Sequence, residues 1–252
     1  MAGPLPEDTS VWIGPHPSGL IGRPTSGPSF LYRLARLGFI VIVRTVFGFR
    51  LELQGEPNIP RGADGRPVGG YVAVGLPHRT WVEPLVAFAL LPATPRLVFF
   101  GDGRAIFRSR ARRFFVNRMG GVIPIWRPGS TAGAGRDDAI GTYLEATRSA
   151  LAAGAVVLIF AEVGPPVPPG EARPLGRGAA LLTLRTGVPI VPLVFGGTDV
   201  LFRGRRIVMR VLPPVAVAEL AAIGPEEPVP EPWSAAERRL IRGATAALHE
   251  RC

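Results

Sequence analysis

The sequence predicts an α/β domain, a mixed, mainly parallel sheet flanked by helices, with an amphipathic helix on its N-terminal side. Three observations predict it. Short runs rich in β-branched and large apolar residues recur along the chain, each bounded by Gly or Pro. Helical segments separate most of these runs, an alternation that favours parallel strands joined by crossovers. The 252 residues are also enough for one substantial core.

In chain order, residues 1–28 are rich in Gly, Pro and Ser and poor in large apolar groups. Such a composition buries too little surface to order itself, and it reads as a loose leader. Residues 29–48 follow as a helix, in which Leu31, Leu34, Leu37 and Val41 fall at helical spacing among Arg33, Arg36 and Arg44. That pattern suits two placements: a basic helix lying in a membrane interface, or a helix packed on the domain's own core. The longest uncharged segment, Leu37 to Val43, is far too short to span a bilayer.

The main domain is expected over 49–217. Its strands are "RLELQG", "YVAVGL", "RLVFFG", "GVIPIW", "AVVLIFAE", "PIVPLVF" and, late in the chain, "RIVMRVLPPV". Helices are expected at 83–91, 105–119, 137–153 and 176–186. Residues 218–232, rich in Pro and Glu, read as a linker, and 233–252 as a closing helix. Ser234 and Glu237 have the spacing of a capping box at its start.

Composition excludes several chemistries. All 29 basic residues are arginine, against 19 acidic ones, for a formal charge of +10. Without lysine there is no Schiff-base lysine and no phosphate-loop lysine. The single cysteine, Cys252, provides neither a disulfide framework nor a cysteine zinc site. Histidines at 16, 78 and 249 are too scattered for a metal cluster, so neither metal nor organic cofactor is expected. No Gly-x-Ser-x-Gly elbow occurs, and "GDGRAI" lacks the third glycine of a dinucleotide fingerprint. The start of the chain has no secretory pattern, which suggests a cytoplasmic setting.

The segment "FRSRARRFF", 107–115, carries four arginines among phenylalanines. A nucleic-acid patch, the solvated face of an amphipathic helix, and cations for lipid headgroups or coenzyme A phosphates are its three readings. No recognised nucleic-acid motif accompanies it, and no nucleic-acid partner is expected.

The stretch "GLPHRTWVEP" places His78 after a strand, with Glu83 five residues on. Thr80 to Glu83 is itself a capping box, which accounts for Glu83 without catalysis, and His78 alone reads as a hydrogen-bonded structural histidine. The same spacing also puts His78 in the turn at the C-terminal end of a strand, where open α/β sheets bind their ligands.

The stretch also resembles the first motif of the glycerophospholipid acyltransferase superfamily, the group that includes lysophosphatidic acid acyltransferases: His, four residues, then Asp. "GGVIPIWR" is similar to the second motif, ending in Arg127, "LIFAEVGPP" stands at the third, Phe-Pro-Glu-Gly-Thr-Arg, and "GVPIVPLV" matches the fourth. The resemblance covers roughly residues 30–215. Two departures stand out. Glu83 replaces the aspartate, and in the third motif only Phe160 and Glu162 stay in register, with Val163, Gly164 and Pro165 in place of Gly-Thr-Arg.

The resemblance implies an acyltransferase that moves a fatty acyl group from acyl-CoA or acyl carrier protein to a hydroxyl of a lysophospholipid or related glycerolipid. It is expected to work peripherally on the inner face of the membrane. His78 would be the general base and Glu83 its orienting carboxylate, with backbone N–H groups at the following helix start receiving the oxyanion. Arg127, Glu162, Gly164 and Arg177 would meet the acceptor, and Arg173 or Arg177 would replace the missing third-motif guanidinium. The bland readings are a surface arginine for Arg127 and a strand-end cap for Glu162. The rival function is a degenerate family member that binds lipid at the membrane surface without turnover.

Overall fold

The computed structural model describes residues 30–102, 121–125, 136–163, 173–221 and 230–251, together with 109, 168, 171 and 223. The expected leader at 1–28, the helix expected at 105–119 with its arginine cluster apart from Ser109, and residues 222 and 224–229 of the expected linker lie outside them. Seven strands form a mixed, mostly parallel sheet: β1 (Arg50–Gln54), β2 (Tyr71–Leu76), β3 (Leu97–Asp102), β4 (Val122–Ile125), β5 (Val156–Phe160), β6 (Ile190–Gly196) and β7 (Arg206–Val211). Their order is β1-β7-β6-β2-β5-β3-β4. The helices are α1 (Phe30–Thr45), α2 (Val82–Leu90), α3 (Arg136–Ala152), α4 (Gly178–Thr186), α5 (Val217–Ala221) and α6 (Ala235–Arg251).

The described chain divides into two compact units. One comprises residues up to Gly38, Val68–Gly70 and Pro92–Leu158. In it β3 runs parallel to both β4 and β5, through pairs such as Phe99↔Val122 and Val98↔Val157. Leu97, Val98, Ile123, Val157 and Leu158 are nearly inaccessible, as expected of parallel strands covered on both faces. The helix α3 contributes Leu144, Ala146, Ala150 and Leu151 to that core. Gly69 permits a close backbone approach, since a Cβ there would lie 2.0 Å from the Gly154 carbonyl oxygen.

The other unit comprises Phe39–Pro67, Tyr71–Leu91 and Ile159–Cys252. Here β2 pairs parallel with β6, β6 antiparallel with β7, and β7 parallel with β1. All six residues of β2 are buried, so this strand offers no solvent face and its sequence is a continuous apolar run. At the far end α6 begins with the expected Ser234–Glu237 pair, the Ser234 Oγ accepting from the Glu237 N–H at 3.0 Å. The Glu237 carboxylate then accepts from the Trp233 N–H and pairs with Arg185 of α4, at 2.5 Å from Nε and 2.9 Å from Nη2.

The helix α1 has one buried and one outward face. Tyr32 and Val43 are buried, whereas Leu31, Leu34, Leu37 and Val41 are 41, 52, 60 and 49% exposed. The stripe found by helical spacing therefore faces outward, and other residues anchor the helix. Among the described residues no helix is long and apolar enough to cross a membrane.

Candidate active site

β2 delivers the chain to the candidate site. It ends at Leu76, and α2 begins at Val82, so His78 and Glu83 occupy the turn and first helical turn beyond a strand's C-terminal end. Glu83 is inaccessible to solvent. One of its oxygens, Oε1, accepts from the Arg79 N–H at 3.3 Å, the Thr80 N–H at 3.1 Å and the Thr80 hydroxyl at 3.1 Å. The other, Oε2, accepts from the Thr80 N–H at 2.9 Å and lies 3.3 Å from Nδ1 of His78. The buried Thr198, just past β6, adds its side chain as a further hydrogen-bond partner of the carboxylate.

The capping box and the histidine contact therefore coexist: one carboxylate closes the helix start and faces the imidazole. Burial by itself pushes the Glu83 carboxyl up. Contacts with His78, Thr198 and the backbone N–H groups of Glu83 and Thr80 outweigh it, and the group is held below the ordinary value of 4.5. An anionic Glu83 is the form that suits a ring N–H at Nδ1.

The contact at 3.3 Å falls outside the alignment of a full hydrogen bond, and Nδ1, itself buried, has no aligned partner among the described residues. The geometry places Nδ1 on the inward side of the ring, facing the carboxylate. The His78 side chain is still 40% exposed, although Nδ1 itself is buried.

The ring is also held on one face. Phe160, the last residue of β5, stacks on it with centroids 4.2 Å apart and planes inclined at 27°. Below the imidazole's own backbone, Arg173 donates to the His78 carbonyl, and its Nε lies 2.8 Å from Oε2 of Glu162, which is 4% exposed. That Oε2 has no aligned hydrogen-bond partner among the described residues, so the pair is ionic rather than a directed hydrogen bond. Arg79 reaches across the same stretch and donates to the carbonyls of Pro168 and Glu171, at 3.3 and 2.6 Å.

These contacts locate the expected residues. His78 and Glu83 meet. Glu162 is paired with Arg173. Arg173 is engaged with Glu162 and the His78 carbonyl, while Arg177 is exposed immediately before α4. Arg127 and Gly164 lie outside the described residues. Of the N–H groups around the helix start, those of Arg79 and Thr80 donate to Glu83, and that of Val82 donates to the Thr80 hydroxyl at 3.2 Å. The contributions of Thr198 and Arg79 were not legible as site features, and Phe160, in register with the third motif, gave no sign of its stacking on His78, because that contact joins distant parts of the sequence.

Beside this turn an apolar pocket of about 320 Å³ opens in the same unit. Val43 near the end of α1, Phe47 just beyond it, Trp81 just before α2, Val82 and Leu85 in its first turn, and Phe202 form its walls, with Arg203 the charged residue in the lining. Trp81 and Val82 stand between His78 and Glu83 in sequence, so the pocket adjoins the candidate catalytic turn.

The fold and site define an α/β protein with a strand-end histidine facing a buried carboxylate and an apolar pocket beside that turn. The particular family follows from comparison: the acyltransferase family model matches residues 50–196, more than half of the chain, and the chain belongs to that family. A search of curated proteins gave no match. Among solved structures, the chain is similar to the 1-acyl-sn-glycerophosphate acyltransferase PlsC from Thermotoga maritima. The identity is 16% and the TM-score 0.48, over 87% of this chain and 81% of that one.

Proposed function

We propose that this acyltransferase moves a fatty acyl group from acyl-CoA or acyl carrier protein to a hydroxyl of a lysophospholipid or related glycerolipid acceptor, at the inner face of the membrane. The observation that carries the reading is the His78–Glu83 geometry. A buried anionic carboxylate faces Nδ1, and the outward side of the ring stays accessible.

In the reaction, Nε2 of His78 takes the proton of the acceptor hydroxyl as its oxygen bonds to the thioester carbon. The tetrahedral intermediate collapses with loss of the C–S bond, and the leaving thiolate recovers a proton from the imidazolium. Glu83 holds the tautomer that leaves Nε2 basic and favours the transient cation, and the enzyme forms no covalent bond to the acyl group. The pocket lined by Phe47, Trp81, Leu85 and Phe202 suits an acyl chain, being apolar and next to the reacting turn. Arg127, Gly164 and the exposed Arg177 remain the proposed contacts of the acceptor headgroup, and the outward stripe of α1 is the proposed membrane contact.

Incubation of the purified protein with acyl-CoA and a panel of lysophospholipids tests the reading. Free thiol released only when acceptor is present is the expected result. Lipid binding without thiol release at any acceptor, with acyl carrier protein as alternative donor, would identify a non-catalytic lipid-binding member instead.

A further inference from the structure

We propose that Phe160 and Gly75 are positioning residues for His78: the Phe160 ring is the floor on which the imidazole lies, and Gly75 is the gap that admits that ring. The inference rests on the acyl-transfer reading above and assigns work to two residues that the reading leaves idle.

Glu83 alone does not fix the imidazole. Its contact with Nδ1 is 3.3 Å long and off the hydrogen-bond axis, and the side chain is 40% exposed. What it leaves free is rotation of the ring plane. The Phe160 face, 4.2 Å from the imidazole centroid and within 27° of parallel, removes that freedom. Phe160 is supported in turn by Phe195 of β6, whose ring centroid lies 6.0 Å away.

Gly75 makes the stack possible. A Cβ on Gly75 would stand 2.5 Å from Cε1 and 2.9 Å from Cδ1 of Phe160, so any other residue must displace the ring. Gly75 lies within the buried strand β2 and has no positive φ to explain it, which leaves this close approach as its reason for being glycine. The π face has a second consequence. When His78 takes the acceptor's proton, a flat aromatic surface against the imidazolium favours the cation, whereas an aliphatic side chain of similar volume does not.

The test uses the full chain, the same acyl-CoA assay, and proton NMR of the His78 imidazole. Phe160→Leu keeps the apolar volume and loses the flat face. We expect its kcat to fall by roughly tenfold or more, with KM for both substrates within about twofold of the parent. Phe160→Tyr should restore kcat, and Gly75→Ala should behave like Phe160→Leu because its methyl group evicts the ring. In the parent and in Phe160→Tyr, the ring current of the stacked aromatic should hold the His78 carbon-bound protons upfield. In Phe160→Leu they should move downfield. Protons that do not move, or a kcat that stays at the parental value in both Phe160→Leu and Gly75→Ala, overturn the inference. A parent protein that shows the upfield protons but turns over no substrate would contradict acyl transfer while leaving the stack supported.

Discussion

At the scale of single residues, Glu83 has two duties that can be separated by what each substitution removes. As a cap it satisfies the Arg79 and Thr80 N–H groups, and as a charge it faces Nδ1 of His78. Loss of an ordinary cap costs about 1 kcal/mol. Glu83→Ala should cost more than that, because it also leaves the buried Thr198 and the half-buried Thr80 without their partner, and it should lower turnover by orders of magnitude. His78→Ala should keep the fold and lose roughly 10²- to 10⁴-fold in kcat. Near-parental turnover in that variant would remove the histidine from the chemistry. A pH test follows from the depressed carboxyl. Glu83 titrates lower in the folded chain than its ordinary 4.5, so its contribution to stability is present above that value and is lost as pH falls through the folded one. Denaturant midpoints measured across this acidic window should fall more steeply for the parent than for Glu83→Gln. Equal slopes would show that the carboxylate is not stabilised by folding.

At the scale of elements, a bidentate ion pair ties α6 to α4. Glu237 is 1% exposed and the Arg185 side chain 13%, with the Arg185 guanidinium 5.1 Å from the Trp233 ring centroid. Breaking such a pair from one side strands the other charge, so Glu237→Ala should cost about 3–5 kcal/mol in chemical denaturation. A loss within surface-substitution range would mean that α6 is held by its apolar face alone. The start of α6 was legible in the sequence, since a capping box is a local pattern of four residues. Its anchor was not, because Arg185 is 52 residues away from Glu237 and nothing local distinguishes it from the other arginines. The same distinction governs the rest of the chain. Strands such as β2 and β6 announced themselves because burial on both faces makes them unbroken apolar runs bounded by Gly or Pro. The His78–Glu83 pair was visible because strand end, turn and helix start lie within a few residues. Glu162 was read as either an acceptor contact or a strand-end cap, and its partner Arg173 as a substitute for a missing guanidinium. Their pairing, with Arg173 reaching 95 residues back to the His78 carbonyl, depends on folding and leaves no local signature.

At the scale of the whole molecule, the proposed membrane contact of α1 makes a separable prediction. The chain carries +10, and α1 turns Leu34, Leu37, Val41 and Ile42 outward, with Arg33 and Arg44 on the same helix. Cations near an anionic bilayer contribute on the order of 1 kcal/mol each, and that share is screened by salt, whereas burial of apolar side chains in the interface is not. The two contributions therefore separate in one experiment. Flotation with vesicles containing anionic phospholipid should show binding that weakens, but does not vanish, between low and high salt. In Leu37→Glu/Ile42→Glu the residual binding at high salt should disappear, because both side chains are exposed and neither contributes to the core, so thermal stability should stay close to that of the parent. The thiol-release rate with acceptor presented in vesicles should fall with the lost binding, while the rate with acceptor dispersed in detergent should be retained. A variant that floats as well as the parent at high salt would show that the outward stripe of α1 meets something other than lipid.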